Sequence, residues 1–165
     1  MRITVFVFVL VLLFFLELIG PVQKALIIPL TRELAEITAM ILQFFDDTVS
    51  FQGVVILNSQ TREGVSIQPG CNGVEAIIIL VAAIIAVPAS HLQKLAGIVI
   101  GSVAIQSLNI FRLISLFYLV QWNRQWFEWA HLYLWQALII LDALIIFVLW
   151  LRWLNRREER SVASD

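Results

Sequence analysis

Apolar residues in this chain gather into four runs separated by polar, turn-rich segments: Ile3–Ile19, Val74–Val87, Leu95–Val120 and His131–Leu151. Crossing the hydrocarbon core of a bilayer takes about 20 mainly apolar residues in a helix. The third and fourth runs meet that length and the first is marginal. The second is short and carries Glu75, so it crosses only if Asn72 and Ser90 sit near the two interfaces. The pattern predicts an all-α integral membrane protein with about four transmembrane helices.

The segment between the first two runs has its own periodicity. Pro29 and Thr31 precede Leu34, Ile37, Ile41 and Phe44 or Phe45 at helical spacing, with Arg32, Glu33 and Glu36 on the other side. That is an amphipathic helix, lying on the membrane or over the bundle. Val54–Leu57 and Val65–Ile67 flank the polar run Asn58–Gly64 and read as a short β-hairpin. The segment ends in the turn-rich Gln68-Pro69-Gly70-Cys71-Asn72-Gly73. Domain organisation follows as a single membrane domain over 1–165. Its parts are a transmembrane helix at 1–20, an extracytoplasmic segment at 21–70, a three-helix core at 71–151 and a basic cytoplasmic tail at 152–165. The first run leads into Leu16-Glu17-Leu18-Ile19-Gly20-Pro21 without a small-x-small cleavage site, so it reads as a retained anchor.

Composition narrows the class. The chain is 61% hydrophobic and 14% charged, where soluble domains are roughly half apolar and a quarter charged. Such a chain cannot clothe a water-facing core, and its partner is the lipid bilayer. A net charge of −1 with no basic patch gives no reason to expect nucleic acid. Cys71 is the one cysteine, which excludes an internal disulfide and a cysteine metal cluster. Basic residues set the orientation. With the N-terminus inside, Arg2, Lys94, Arg152, Arg156, Arg157 and Arg160 are cytoplasmic and close to helix ends. Trp122, Trp126, Trp129 and Trp135 then mark one interface of the last helix, and Trp150 and Trp153 the other.

Polar groups in lipid are costly and call for a reason. The candidates are Glu17, Cys71, Glu75, Asn109, Arg112, His131 and Asp142, with His91 outside the runs. Cys71 lies at the outer end of the second helix, where free N–H groups and the helix dipole favour a thiolate. An inert packing cysteine is the plain alternative, but it needs no flexible turn on either side. A nucleophile needs a base. His91 is a membrane thickness away, whereas His131 starts the last helix on the same side as Cys71; a residue of the aromatic belt is its bland reading. Arg112 lies eight residues before Val120, roughly 12 Å below the outer end. It is either an ion-pair partner of Asp142 or Glu75, or a guanidinium aimed at charge developing on a carbonyl oxygen. Ser107 and Ser115 are weak rival nucleophiles, since both sit in mid-helix. The pair Gly97 and Gly101 allows close helix packing. A non-enzymatic membrane subunit or transporter component with an Arg-Asp/Glu network is the competing class.

At these residues the chain resembles the exosortase/archaeosortase family of membrane transpeptidases, most closely its short exosortase H branch. The resemblance rests on Pro69-Gly70-Cys71-Asn72-Gly73 opening a helix, Asn109-Ile110-Phe111-Arg112 inside the next, and His131 starting the last. It covers about Val54 to Leu151. It implies a cysteine transpeptidase or protease with Cys71 as nucleophile, Arg112 as transition-state stabiliser and His131 as acid/base. Asn109, Glu75 and Asn72 are the supporting residues; one turn before Arg112, Asn109 is placed to orient it. No metal and no organic cofactor is required. Its partners would be exported proteins with a C-terminal motif, such as Ile-Pro-Thr-Leu-x-x-Trp-Gly, followed by a hydrophobic helix and a basic tail. The implied setting is the bacterial cytoplasmic membrane, with the site on the extracytoplasmic side. Many relatives have about twice as many helices, which raises the question of a homo-oligomer here.

Overall fold

The computed structural model describes residues 2–68 and 70–162, with side chains as far as residue 156. Pro69, part of the turn singled out above, lies outside the described residues, as do the side chains of Arg157 and Arg160. The described residues form five helices and one small sheet. Helix α1 (Ile3–Leu18) ends where Ile19 turns extended and Pro21 takes the first turn of the next helix. Proline there costs no hydrogen bond, because the first N–H groups of a helix have no partner. Helix α2 (Gly20–Gln43) leaves at 71° to α1 and contains a π turn at Gln23–Ile27.

A three-stranded antiparallel sheet follows, in the order β1 (Val49–Gln52), β2 (Val55–Asn58), β3 (Gly64–Ser66). Gly53 makes the tight β1–β2 turn with φ 63°, a conformation that turns of this kind demand. The expected hairpin is therefore present, with β1 as an added edge strand. Val49 alone of β1 is buried, so that strand shows no full alternation of apolar and polar residues. Asn58 is buried at the end of β2, and its Nδ2 donates to Gln121 Oε1 at 2.7 Å, tying the sheet to the helical bundle.

Helix α3 (Val74–Ala86) is followed by α4 (His91–Trp122) and α5 (Arg124–Arg156). The helical backbone of α5 runs on to Val162. Ser90 opens α4 with a reciprocal capping box through Gln93. Helices α4 and α5 are long and apolar enough to cross a membrane, and α1 with α2 qualifies as a bent pair, giving two or three candidate spans. The expected fourth, α3, has 13 residues and falls short of that length.

Helix α2 is amphipathic, but its buried face is not the expected one. Thr31, Leu34, Ala35, Thr38, Ala39 and Leu42 face the protein, whereas Ile37 and Ile41 are partly exposed and Phe44 is 85% exposed. Small side chains let the helix approach closely, and in lipid the large apolar ones lose nothing by facing outward. Two cores result. One joins α2, the sheet and the outer part of α4 around Leu42, Ile56, Ile67 and Phe117. The other joins α3, α4 and α5 around Leu80, Ile84, Ile105 and Trp150. Gly97 lets the Trp150 indole lie on α4, where Nε1 donates to the Gln93 carbonyl at 3.1 Å.

Candidate functional site

Cys71 sits in the turn that joins the sheet to α3. Gly70 (φ 87°) and Gly73 (φ 76°) both adopt left-handed backbone, which L side chains reach only at a cost of about 1–2 kcal/mol. The Cys71 amide donates to the Gln68 carbonyl at 2.9 Å. Asn72 is fully buried and clamps the turn from within. Its Nδ2 donates to Thr31 Oγ1 on α2 at 3.2 Å, its Oδ1 accepts from the Val74 amide at 3.1 Å, and its carbonyl accepts from Gln106 Nε2 on α4 at 3.1 Å. Thr31 and Gln106 carry this clamp; the sequence marks Thr31 only as a helix cap, whereas it lies inside α2 and donates to the Ile27 carbonyl, and Gln106 did not stand out. A glutamine within an apolar helix run was the available signal for Gln106.

Two side chains converge on the turn. Arg112, 1% exposed, reaches it from α4, and its Nη2 donates to Cys71 Sγ at 3.4 Å. His131 reaches it from a π turn of α5 (Ala130–Leu134), with Nε2 3.9 Å from Sγ. Such π turns recur at functional sites. Phe127, one turn earlier, stacks on the imidazole at 5.7 Å between ring centres and 3° between planes, which fixes the ring orientation. The sulfur thus lies between a guanidinium and an imidazole.

Several buried polar atoms at this point lack partners: Nε and Nη1 of Arg112, Nδ1 of His131, Oδ1 of Asn109 and Oε2 of Glu75. Leaving a buried polar group unsatisfied costs about 1–3 kcal/mol, more if it is charged. Several in one place form a strain that a bound polar molecule would relieve. Arg112 makes no ion pair with Asp142 or Glu75; among the described residues the ion pair is Arg124–Glu128 at the surface. The structural network considered above is therefore not formed. Asp142 shares a small cleft with Asn109 and Arg112. Asn109 hydrogen-bonds Gln106 Oε1 at 3.5 Å rather than Arg112. His91 opens α4 beyond the far end of α3, roughly 20 Å of helix rise away. Ser107 and Ser115 spend their hydroxyls on the Val103 and Arg112 carbonyls.

Burial pushes the Cys71 thiol above its ordinary pKa; Arg112 pulls it down and Glu75 adds to the rise. The expected thiolate is therefore not the resting form. Cys71 precedes the N-cap Gly73 and packs against the outer core, so desolvation outweighs both the guanidinium and the helix end. A cleft of about 490 Å3 opens beside the turn, with Ile27, Thr31, Arg32, Gln52, Ile67 and Gln68 in its walls.

A helical membrane protein with a partly buried Cys-Arg-His cluster at the mouth of its bundle is what the fold and site define. Residues 2–150 match the model of the transmembrane exosortase family, and the chain belongs to that family. No match was found among curated proteins or among solved structures.

Proposed function

We propose that this protein is a cysteine transpeptidase or protease that cleaves C-terminal sorting signals of exported proteins. The cut falls near the outer membrane–water interface and leaves an acyl-enzyme. The reading is carried by one observation: Cys71 Sγ has Arg112 Nη2 at 3.4 Å and His131 Nε2 at 3.9 Å. Membership of the transmembrane exosortase family supports it.

In this reading the bundle crosses the bilayer four times, with α3 as a short span and the N-terminus cytoplasmic. Cys71 faces the extracytoplasmic side of the bacterial cytoplasmic membrane. His131 Nε2 takes the thiol proton as Sγ attacks the scissile carbonyl carbon. The carbonyl π electrons move to oxygen, and the free donors of Arg112 meet that oxyanion. Collapse breaks the C–N bond, and His131 returns its proton to the leaving amine. A thioester remains on Cys71. Water or an acceptor amine then attacks it, giving its proton to His131; the C–S bond breaks and the thiol is restored. Glu75 and Asn109 set the electrostatics and packing around the turn, and Asn72 positions it. The chemistry draws on no metal or organic cofactor.

The test is a co-expressed reporter ending in a motif, an apolar helix and a basic tail. Cys71→Ala should accumulate in the membrane at normal levels and leave the reporter uncut. A Cys71→Ala protein that still cuts the reporter would sink the proposal.

A further inference from the structure

The geometry points to the seam between α4 and α5 as the docking furrow for the apolar helix of a membrane-anchored substrate. This inference rests on the proposed peptidase activity. Two clefts follow each other along that seam. The first, about 290 Å3, has a floor of Gly97, Gly101 and Ala104 and is flanked by Leu149 and Trp150. The second lies one turn further along α4 and is bounded by Leu108, Asn109, Arg112, Trp135 and Asp142. The seam opens outward, since Ile100, Leu108 and Leu149 along it are all exposed.

Three features select a substrate helix over other occupants. The first is the end of the furrow. It runs into Arg112, whose buried Nε and Nη1 have no partner and whose Nη2 touches the nucleophile. A lipid tail brings nothing to those donors. A second copy of the chain seated there would close the approach to Cys71. The second is length. Gly97 to Arg112 is about 22 Å of helix rise, most of a hydrocarbon core of about 30 Å. A helix laid along it would run most of the way across the core, and its outward extension would arrive beside Sγ. The third is the floor. Small residues let two helix backbones approach, and in lipid close packing rather than hydrophobicity drives helix association. Gly97 and Gly101 are already covered by Trp150 and Leu80, so they hold the furrow's shape when empty, and Ala104 is the small residue it offers to an incoming helix.

The experiment places a photoreactive residue at Ala104 or Leu149 in the Cys71→Ala protein, with Phe8 on the exposed face of α1 as the comparison position. The reporter, a single-pass protein ending in a Pro-containing motif, an apolar helix and an Arg-rich tail, is co-expressed. Crosslinks to the reporter helix should form from Ala104 and Leu149 and be at least tenfold weaker from Phe8. In the Cys71-containing protein, Ala104→Phe should slow processing at least tenfold while the alkylation rate of Cys71 stays unchanged. Equal capture from Phe8, capture only of a second copy or of lipid, or normal processing by Ala104→Phe would each overturn the furrow. If the Cys71-containing enzyme cuts the reporter but the furrow positions do not capture it, the furrow is wrong and the activity stands. If they capture it but the enzyme never cuts it, the activity is wrong and the furrow stands.

Discussion

Arg112 Nη2 lies 3.4 Å from Cys71 Sγ, although the two residues are 41 positions apart and sit on different elements. This buried guanidinium spends one of its donors on a thiol and leaves Nε and Nη1 without a partner; under the proposed activity those donors meet the oxyanion. Lysine cannot replace this planar fork, because it offers one point charge on a flexible stem. Arg112→Lys should keep the protein in the membrane but lower reporter processing about 100-fold or more, the scale seen when an oxyanion donor is removed. Pulse-chase measurement of the cut reporter checks it.

The thiol is raised by burial, lowered by Arg112 and raised further by Glu75. Alkylation of Cys71 should therefore rise with pH and reach half its maximum above the usual thiol range. The direction follows because a raised pKa leaves the thiol protonated at neutral pH. Removing the cation in Arg112→Gln should move the midpoint up, and removing the anion in Glu75→Gln should move it down. Iodoacetamide rates across alkaline pH give the midpoints; shifts of the opposite sign would refute this electrostatic account.

Asn72 holds the Cys71 turn through Thr31 and Gln106. Asn72→Ala strands buried partners, at about 1–3 kcal/mol. We expect a loss of processing of about tenfold or more with faster alkylation, since a loosened turn exposes the sulfur. Gln106→Leu should act in the same direction but less, because the Asn72 side chain keeps its own bonds.

Gly73 has φ 76°, and a Cβ there would meet Gln106 Oε1 at 3.3 Å and Asn109 Nδ2 at 3.4 Å. Gly73→Ala should lower thermal stability in detergent by about 1–2 kcal/mol from backbone conformation alone. At Gly20 a Cβ meets nothing within 4 Å, so Gly20→Ala should leave the unfolding midpoint nearly unchanged. Equal effects at the two sites would contradict the strain argument.

Much of this arrangement was legible in the sequence because lipid makes polar residues conspicuous. Cys71, Arg112 and His131 each stood out against an apolar run, and topology alone put them at one end of the bundle. Their distances were not legible, since depth along a helix says nothing about rotation around it. Helix α2 shows the same limit. Its spacing of apolar residues marked a helix, yet in a membrane both faces can be apolar, so hydrophobicity could not say which packs inward; Ala35, Thr38 and Ala39 did, by their size. The bonds of Gln106 and Thr31 to Asn72 went unnoticed, and Thr31 was legible only as a helix cap, because hydrogen bonds to a backbone carbonyl and a buried amide depend on tertiary approach. The α1–α2 bend was foreshadowed by Gly20-Pro21, but its 71° was not.

The double tether on Asn72 reaches to residues 41 positions earlier and 34 later. A chain still threading into the bilayer holds its only thiol on a slack glycine turn, without guanidinium, imidazole or clamp. Competence is thus the last thing assembly confers. Under the proposed activity, a half-inserted molecule would hold no assembled nucleophile, so insertion and reactivity would be coupled.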